Sequence, residues 1–504
     1  MSGPATAVPL RLVPADPPDS AERGATAAAS GALSAAQQRL LAELMRVEPV
    51  LAELGARFTA AGHELALVGG PVRDALLGRP VQDLDFTTDA RPDQIVQVLK
   101  GWADAHWDVG IAFGTVGARK GEHRIEVTTY RSEVYRSDSR KPDVTYGDTL
   151  VHDLERRDFT VNAMAVSLPA MTFVDPHGGL ADLSGRLLRT PGRPEDSFSD
   201  DPLRMMRAAR FASQLGFAVD PPVVAAMTAM ADRISIVSAE RVRDELVKLV
   251  CSPDPRPGLA LMVSTGLAAQ VLPELPRLAL EIDEHHRHKD VYEHTLTVLE
   301  QAISLEDADA SPDFVLRFAA LMHDVGKPKT RRFEPGGGVS FHHHEVVGAK
   351  LTAARMRALR FPKDVTDQVA RLVELHLRFH GYGTGAWTDS AVRRYVADAG
   401  PLLDRLHKLT RSDSTTRNRR RAETLRRAYD DLEERIARLR EQEELDAIRP
   451  DLDGNAIMEI LGLPPGPLVG EAWRHLKELR LDRGPMTHDE AVTELRSWWA
   501  TQQP

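Results

Sequence analysis

The chain has 504 residues, 42% of them hydrophobic and 27% charged, which suits a soluble globular protein of two to four domains and excludes a single core. A net charge of −10 excludes a uniformly basic nucleic-acid binder, so an RNA or DNA partner would have to be met by local basic patches. The one cysteine, Cys251, excludes an internal disulfide and a cysteine-based zinc site and fits the cytoplasm, and no apolar run is long enough to span a bilayer.

Residues 1–33 are rich in Ala, Pro, Gly and Ser and carry no apolar stretch flanked by basic residues, so they read as a disordered tail and not as a signal peptide. Residues 34–62 place Leu and Ala at helical spacing and stop at Gly62. "ELALVGG" then reads as a buried strand ending at glycines, and "PVRDALLG" as a short helix opened by Pro and closed by Gly. "DLDFT" is extended, "RPDQIVQVLKGW" is helical, and "FGTVGARKGEHRIEVTTY" predicts two strands joined near Lys120 and Gly121. This alternation predicts a compact α/β unit from about Glu48 to Arg189. Residues 131–155 are polar with little periodicity, the pattern of a mobile loop.

From Asp201 to Val250 nearly every residue fits a helix, until "CSPDPRPGLA" interrupts. From about Ile282 to Asp413 the chain is helical and rich in histidine. Ala422, Leu425, Tyr429, Leu432, Ile436 and Leu439 then form a heptad stripe on a long charged helix. So short a stripe suits packing within the chain better than a coiled-coil dimer, and no stable protein partner is predicted. "LDGNAIMEILGLPPGPLVGEAW" predicts a small helical cap.

Asp83 and Asp85 are alternate residues of one predicted strand, so they project to the same face. Two carboxylates at that spacing suit a pair of divalent cations, with magnesium taking oxygens from protein and triphosphate. The turn at Gly69 and Gly70 lets backbone N–H groups approach phosphate, and Arg73 lies in the first turn of the helix that follows. Glu126 faces the same way as Thr128 and Tyr130, opposite Ile125, Val127 and Thr129; it is either a third carboxylate or a solvent-facing strand residue. "GG" and "DxD" are each common alone; within one strand–turn–helix–strand unit they point to catalysis.

"LVGGPVRDALLGRPVQDLDF" resembles the opening motif of the class II tRNA nucleotidyltransferase and bacterial poly(A) polymerase family, within the DNA polymerase beta superfamily. "RRDFTVNAMA" at 156–165, "DDPLRMMRAARFA" at 200–212 and "SAERVRDEL" at 238–246 resemble, in the same order, its ribose-recognition motif, its base-reading motif and the helix that braces them. The resemblance implies that Gly70 and Arg73 carry phosphates, Asp83 and Asp85 the magnesium ions, and Arg157 and Asp158 the incoming nucleotide. It also implies an α/β head of the DNA polymerase beta type, followed by mostly α-helical neck and further helical domains.

Asp201 precedes Pro202 where a helix begins, and Arg204, Arg207 and Arg210 follow on one face. By themselves these are an N-cap and a solvated stripe. The family resemblance gives Asp201 and Arg204 a further role, as an acceptor and a donor that read the base edge. C and A each pair an exocyclic amine with a bare ring nitrogen, whereas U and G set a carbonyl beside an N–H and would leave polar groups unpaired. Arg207 and Arg210 would then help hold the triphosphate. "VGIAFGTVGA" and the polar loop at 131–155 resemble CCA-adding members more than the poly(A) polymerases, which tend to carry a basic "GRRF"-like segment there.

"VYEHTL", "ALMHDVGK", "FHHHEVVGA", "ELHLRFH" and "TRSDST" supply His294, His323, Asp324, His344, His376 and Asp413. Their order resembles the HD phosphohydrolase superfamily. His294, His323, Asp324 and Asp413 would form one metal site for a divalent transition metal, and His344 and His376 a second, with His342, His343 and His380 as neighbouring alternatives. The arginines at 417, 419, 420, 421, 426 and 427 are either a phosphate contact or a solvated helix end, since Asp430, Asp431, Glu433 and Glu434 follow.

These readings divide the chain into a head at 34–189, a neck at 190–275, an HD domain at 280–415 and an RNA-binding tail at 416–504. They converge on template-free addition of CCA to tRNA from CTP and ATP, with Mg2+ at the head and a phosphohydrolase activity at the HD site. The alternatives are a poly(A) polymerase of the same family, or an HD phosphohydrolase whose head only binds RNA.

Overall fold

The computed structural model describes residues 11–12, 35–46, 48–81, 83–107, 114–134, 143–146, 149–279, 291–335, 338–382, 387–415, 419–443 and 449–502. They fall into two units, Met1–Leu249 with Pro253–Val271, and Val250–Ser252 with Leu272–Pro504.

The first unit is built on a sheet. Its strands are β1 (Arg11–Leu12), β2 (Leu65–Val68), β3 (Asp83–Thr88), β4 (Ala105–Trp107), β5 (Thr115–Lys120) and β6 (His123–Thr129). A ribbon of β7 (Arg131–Val134) and β8 (Asp143–Tyr146) follows, then β9 (Ala165–Leu168) and β10 (Thr172–Val174) return to the sheet. The order is β1-β10-β9-β2-β3-β6-β5-β4. Only β1–β10 and β3–β6 are parallel pairs; β2 runs antiparallel to β3 and β9.

One face of the β3–β6–β5 region is apolar. Leu84, Phe86, Ile125, Val127, Val116 and Ala118 are all at most 1% exposed. The apolar stripes of the helices Glu48–Ala60 and Pro92–Leu99 are buried with them, through Leu51, Leu54, Phe58, Ile95 and Leu99. The strict alternation along β3 therefore leaves Asp83 and Asp85 on the opposite face.

One reading needs correction. Residues 131–155 are not a loop throughout: β7 and β8 pair antiparallel, Arg131 opposite Tyr146, and Leu150–Glu155 is a helix whose N-terminal N–H at His152 is accepted by the Thr149 hydroxyl. Val134, Val144, Thr145 and Tyr146 are good strand formers, and a two-stranded ribbon is too short to show alternation. The tail at 1–33 lies outside the described residues apart from Arg11–Leu12, which form β1 beside β10.

The neck is helical, as the pattern from Asp201 onward predicts. Its central helix, Leu203–Leu215, meets the helix Arg256–Ser264 at Gly258, where a Cβ would come within 2.3 Å of the Ala209 carbonyl oxygen. The second unit is also helical. The stripe on Arg419–Glu443 packs within it, with Tyr429, Leu432, Ile436 and Leu439 buried and the Tyr429 hydroxyl donating to Thr410 O at 2.7 Å. The helices Gly454–Leu461, Pro467–Arg483 and His488–Gln502 enclose a small core of Leu452, Ile457, Ala472, Leu476, Ala491 and Leu495. Among the described residues no helix is long and apolar enough to cross a membrane.

Candidate active site and metal centre

Strand register assembles the first site. Asp85 pairs with Glu126 across β3 and β6, and Asp83 pairs with Arg124 one step along. Residues opposite one another point to the same face, so Asp83, Asp85 and Glu126 stand together on the open side of the sheet. Burial pushes the Asp85 carboxyl up to about 6, and the charges of Glu126 and Asp83 add to this against Arg157 and Arg124. A carboxylate crowded by two others is the environment that a divalent cation relieves. Arg124 partly compensates, donating to Glu126 Oε1 at 3.0 Å. Tyr130 does not continue the row: it is 1% exposed and its hydroxyl donates to Glu64 at 3.1 Å.

Beside these carboxylates, β2 ends at Gly69, whose φ of +76° favours glycine. A Cβ there would sit 3.0 Å from Arg157 Nη1, so Arg157 lies against the glycine turn, and its charge acts on Asp85. Its guanidinium is held by Asp153 at 3.2 Å, and its Nε is buried with no hydrogen-bond partner. Burial alone would raise Asp153, but Arg157 and Arg156 hold it below the usual carboxylate range.

Arg73 is 6% exposed and does not reach into open space. It donates to Asn162 Oδ1 at 2.6 Å and to both oxygens of Asp74. Asn162 donates in turn to Asp158 at 3.0 Å, and Asp158 accepts from Arg207 Nε at 2.7 Å. Burial opposes ionisation of Asp158, yet Arg207 and Asn162 keep its carboxyl far below the ordinary value. Arg207 and Arg210 converge on Glu245, at 3.8 and 3.0 Å, while Arg73, Arg207 and Arg210 surround the Phe211 ring at 5.2, 5.4 and 4.2 Å. Burial, then the neighbouring charge of Arg207, lowers Arg210 to about 10. The arginine face of Leu203–Leu215 is thus no solvated stripe: Arg210 is 8% exposed. Asp153, Asn162 and Glu245 are working residues that pattern reading passed over. Asn162 and Glu245 stand inside the motif segments "RRDFTVNAMA" and "SAERVRDEL", and Asp153 stands three and four residues before two arginines.

Asp201 Oδ1 accepts from Leu203 N at 3.1 Å, an Asx-type turn that starts the helix, and Oδ2 pairs with Arg241 at 2.7 Å. Arg204 donates to Ser197 Oγ at 2.8 Å and to the Arg156 carbonyl. Both side chains are therefore fixed in direction, Asp201 by the bracing helix and Arg204 by the segment that carries Arg157.

The second unit holds two compact donor groups, His294 with His323 and Asp413, and Asp324 with His344 and His376. Asp324 joins them, its oxygens 3.2 Å from His323 Nε2, 3.7 Å from His294 Nε2 and 3.2 Å from His344 Nε2. Three imidazoles share one device. The Nδ1 of His323, His344 and His376 faces the backbone carbonyl of Ala320, Phe341 and Val373 at 2.8, 2.9 and 2.6 Å, which requires the proton on Nδ1. Each Nε2 is buried and turned inward, that of His323 toward Asp324 and Asp413 and that of His344 toward Asp324, without a well-formed hydrogen bond. That is how metal-binding histidines are oriented, and the nitrogen-rich donor set fits a divalent transition metal. Burial opposes charge on His323, but Asp324 and Asp413 raise it to about 10; burial and His323 push His376 down to about 3. His342 and His343 are exposed and outside both groups, which removes them as alternatives, and the His380 side chain lies outside the described residues.

In the tail, Arg420, Arg421, Arg426 and Arg427 are exposed, and Arg427 pairs with Glu423 at 2.7 Å. Arg417 and the side chain of Arg419 lie outside the described residues.

The chain is similar to known proteins along most of its length. The family model for the poly A polymerase head domain matches residues 65–189, that for the probable RNA and SrmB-binding site of polymerase A matches 216–278, and that for the HD domain matches 291–437. The chain is 35% identical over 445 residues to the A-adding tRNA nucleotidyltransferase of Deinococcus radiodurans, covering 86% of this chain and 95% of that one. It is 44% identical over 208 residues to the CCA-adding enzyme of Levilactobacillus brevis, about half of that protein's length. In fold it is similar to the Bacillus stearothermophilus CCA-adding enzyme solved with CTP, with a TM-score of 0.64 over 92% of this chain and 98% of that one at 24% identity.

Proposed function

Because the chain belongs to the tRNA nucleotidyltransferase and poly(A) polymerase family, we propose that it completes the 3′ end of tRNA, adding C twice from CTP and A once from ATP without a nucleic-acid template. The observation that carries this reading is the register of β3 and β6, which sets Asp83, Asp85 and Glu126 on one open face beside Arg157 and the Gly69 turn. Asp83, Asp85 and Glu126 would hold Mg2+. Bound there, magnesium supplies the positive charge that eases ionisation of the acceptor hydroxyl and offsets the charge on departing pyrophosphate.

The chain supplies position and selection. Gly69 and Gly70 keep side chains away from the phosphates, and Arg157, tethered by Asp153, presents its guanidinium to them. Asp158 and Arg207 are mutually neutralised, so their part is to hold head and neck motifs in one geometry, and Arg73 and Arg210, paired with Asp74 and Glu245, brace the same cluster. Asp201 keeps acceptor capacity toward an amine and Arg204 keeps donors toward a ring nitrogen, the complement of C and A but not of U or G. Transfer needs no template because this edge stands in for the paired base.

The HD centre would be a second active site, hydrolysing a phosphoester at its His and Asp donors. A tRNA substrate supports a cytoplasmic location as part of this proposal.

A second reading is favoured by the Deinococcus relative, which is an A-adding enzyme and matches nearly the full chain: addition of the terminal A alone. Purified protein given tRNA transcripts ending before, within and after CCA, with CTP, ATP or both, separates them. Extension of the CCA-less transcript by CTP supports full CCA addition; extension only of the transcript ending in CC, and only by ATP, supports the second reading.

A further inference from the structure

A polymerase that grows an end must seat the acceptor nucleoside as well as the incoming nucleotide, and the open face of the sheet carries a feature suited to that. The register row through Asp85 and Glu126 continues outward: Glu126 is opposite Gly117, and Gly117 is opposite Trp107 on the edge strand β4. Trp107 therefore shares the face of the catalytic carboxylates. Between them stands a residue with no side chain, and the indole fills its place. A Cβ on Gly117 would lie 2.0 Å from Trp107 Nε1 and 2.3 Å from Cε2. The ring is thus folded back over β5 toward Glu126, to about one strand spacing (~5 Å) from that residue's strand. Arg124, which holds Glu126 at 3.0 Å, places its guanidinium 5.8 Å from the Trp107 ring. The next row puts Asp83, Arg124 and Arg119 side by side, and among the described residues the exposed Arg119 has no carboxylate partner.

An aromatic plane with one guanidinium group beside it and a second arginine on the adjacent row, about one ribose away from the metal-binding carboxylates, is the composition of a seat for single-stranded RNA. We propose that Trp107 stacks the 3′-terminal base of the RNA acceptor, with Arg119 and Arg124 on the phosphate behind it, so that the terminal 3′ hydroxyl falls at Asp83, Asp85 and Glu126. The inference rests on the nucleotidyl-transfer reading and adds the acceptor side to it. Stacking suits the task because the terminal base changes as the end grows, and every base offers a π face whereas hydrogen-bonding edges differ. The competing role for Trp107 is structural, covering an interior strand glycine.

Two variants of the full chain separate the roles. A CCA-less tRNA transcript carrying 2-aminopurine at its 3′ end reports stacking through fluorescence quenching. Wild-type protein quenches it, Trp107→Ala does not, and Trp107→Phe restores most of the quenching. Trp107→Ala raises the KM for tRNA by about 5- to 100-fold, as loss of one stacked base implies, and leaves the KM for CTP unchanged. Equal quenching by wild type and Trp107→Ala overturns the proposal, as does a rise in both KM values together with a lowered melting temperature, which marks a structural role alone. Wild-type protein that extends no tRNA at all overturns the nucleotidyl-transfer reading first, so the two failures are distinct.

Discussion

Removing the Asp85 carboxylate, proposed here to hold Mg2+, should make this protein more stable. Asp85 is raised from its ordinary 3.8 to about 6, by burial first and then by Glu126 and Asp83. In the folded chain without metal it binds a proton below about pH 6, whereas in the unfolded chain it is ionised above about pH 4. Between those limits the folded state holds more protons, so stability falls as pH rises and stays low above pH 6. The difference corresponds to about 3 kcal/mol at pH 7.5. Asparagine mimics the protonated acid, so Asp85→Asn should stabilise the chelated protein by up to that amount, or about 6–12 °C for a unit of this size. Calorimetry in EDTA at pH 7.5 and 4.5 tests this: the variant melts higher at pH 7.5, the gap closes at pH 4.5, and nucleotide addition is lost. Added Mg2+ should stabilise the wild type and not the variant. A variant that melts at or below wild type in EDTA at pH 7.5 would refute the reasoning, because the carboxylates would then not be in conflict.

Arg207→Met leaves Asp158 buried and unpaired and should cost about 3–5 kcal/mol, part of which Asp158→Asn recovers in the double variant; thermal melts that barely move would contradict the ion pair's place in the core. Asp324→Asn removes the carboxylate that lies between the two donor groups, so elemental analysis should find less transition metal bound than in wild type and phosphoester hydrolysis abolished while tRNA extension persists. Arg204→Ala removes a base-facing donor, and discrimination of CTP against UTP should drop by roughly 100-fold or more in competition assays; unchanged selectivity would remove Arg204 from base reading.

Part of the candidate site was legible in spacing and part only in the resemblance of short motifs to a known family. Asp83 and Asp85 needed only the two-residue period of a strand, and the HD donors stood in recognisable short segments. What spacing cannot give is register. That Glu126 is opposite Asp85, and that Gly117 and Trp107 extend the same row, depends on which residues of β3, β4, β5 and β6 pair, and a shift of one residue would turn Glu126 into the core. Long-range partners were equally hidden: Asp158 and Arg207 are 49 residues apart, and Arg73 and Asn162 are 89 apart. The arginines of Leu203–Leu215 looked solvated because helical periodicity assigns a polar face to water, and here Glu245, Asp158 and Phe211 cover that face instead. The ribbon of β7 and β8 escaped because its strands are four residues each.

Acidic residues on the head sheet are proposed to drive nucleotide addition to tRNA. The most direct measurement sizes the products, at single-nucleotide resolution, from a CCA-less tRNA with CTP and ATP, using wild type, Asp83→Ala with Asp85→Ala, and Asp324→Asn. Three added nucleotides from wild type and from Asp324→Asn, with none from the double head variant, is the expected pattern. Full extension by the protein lacking both head carboxylates would contradict it.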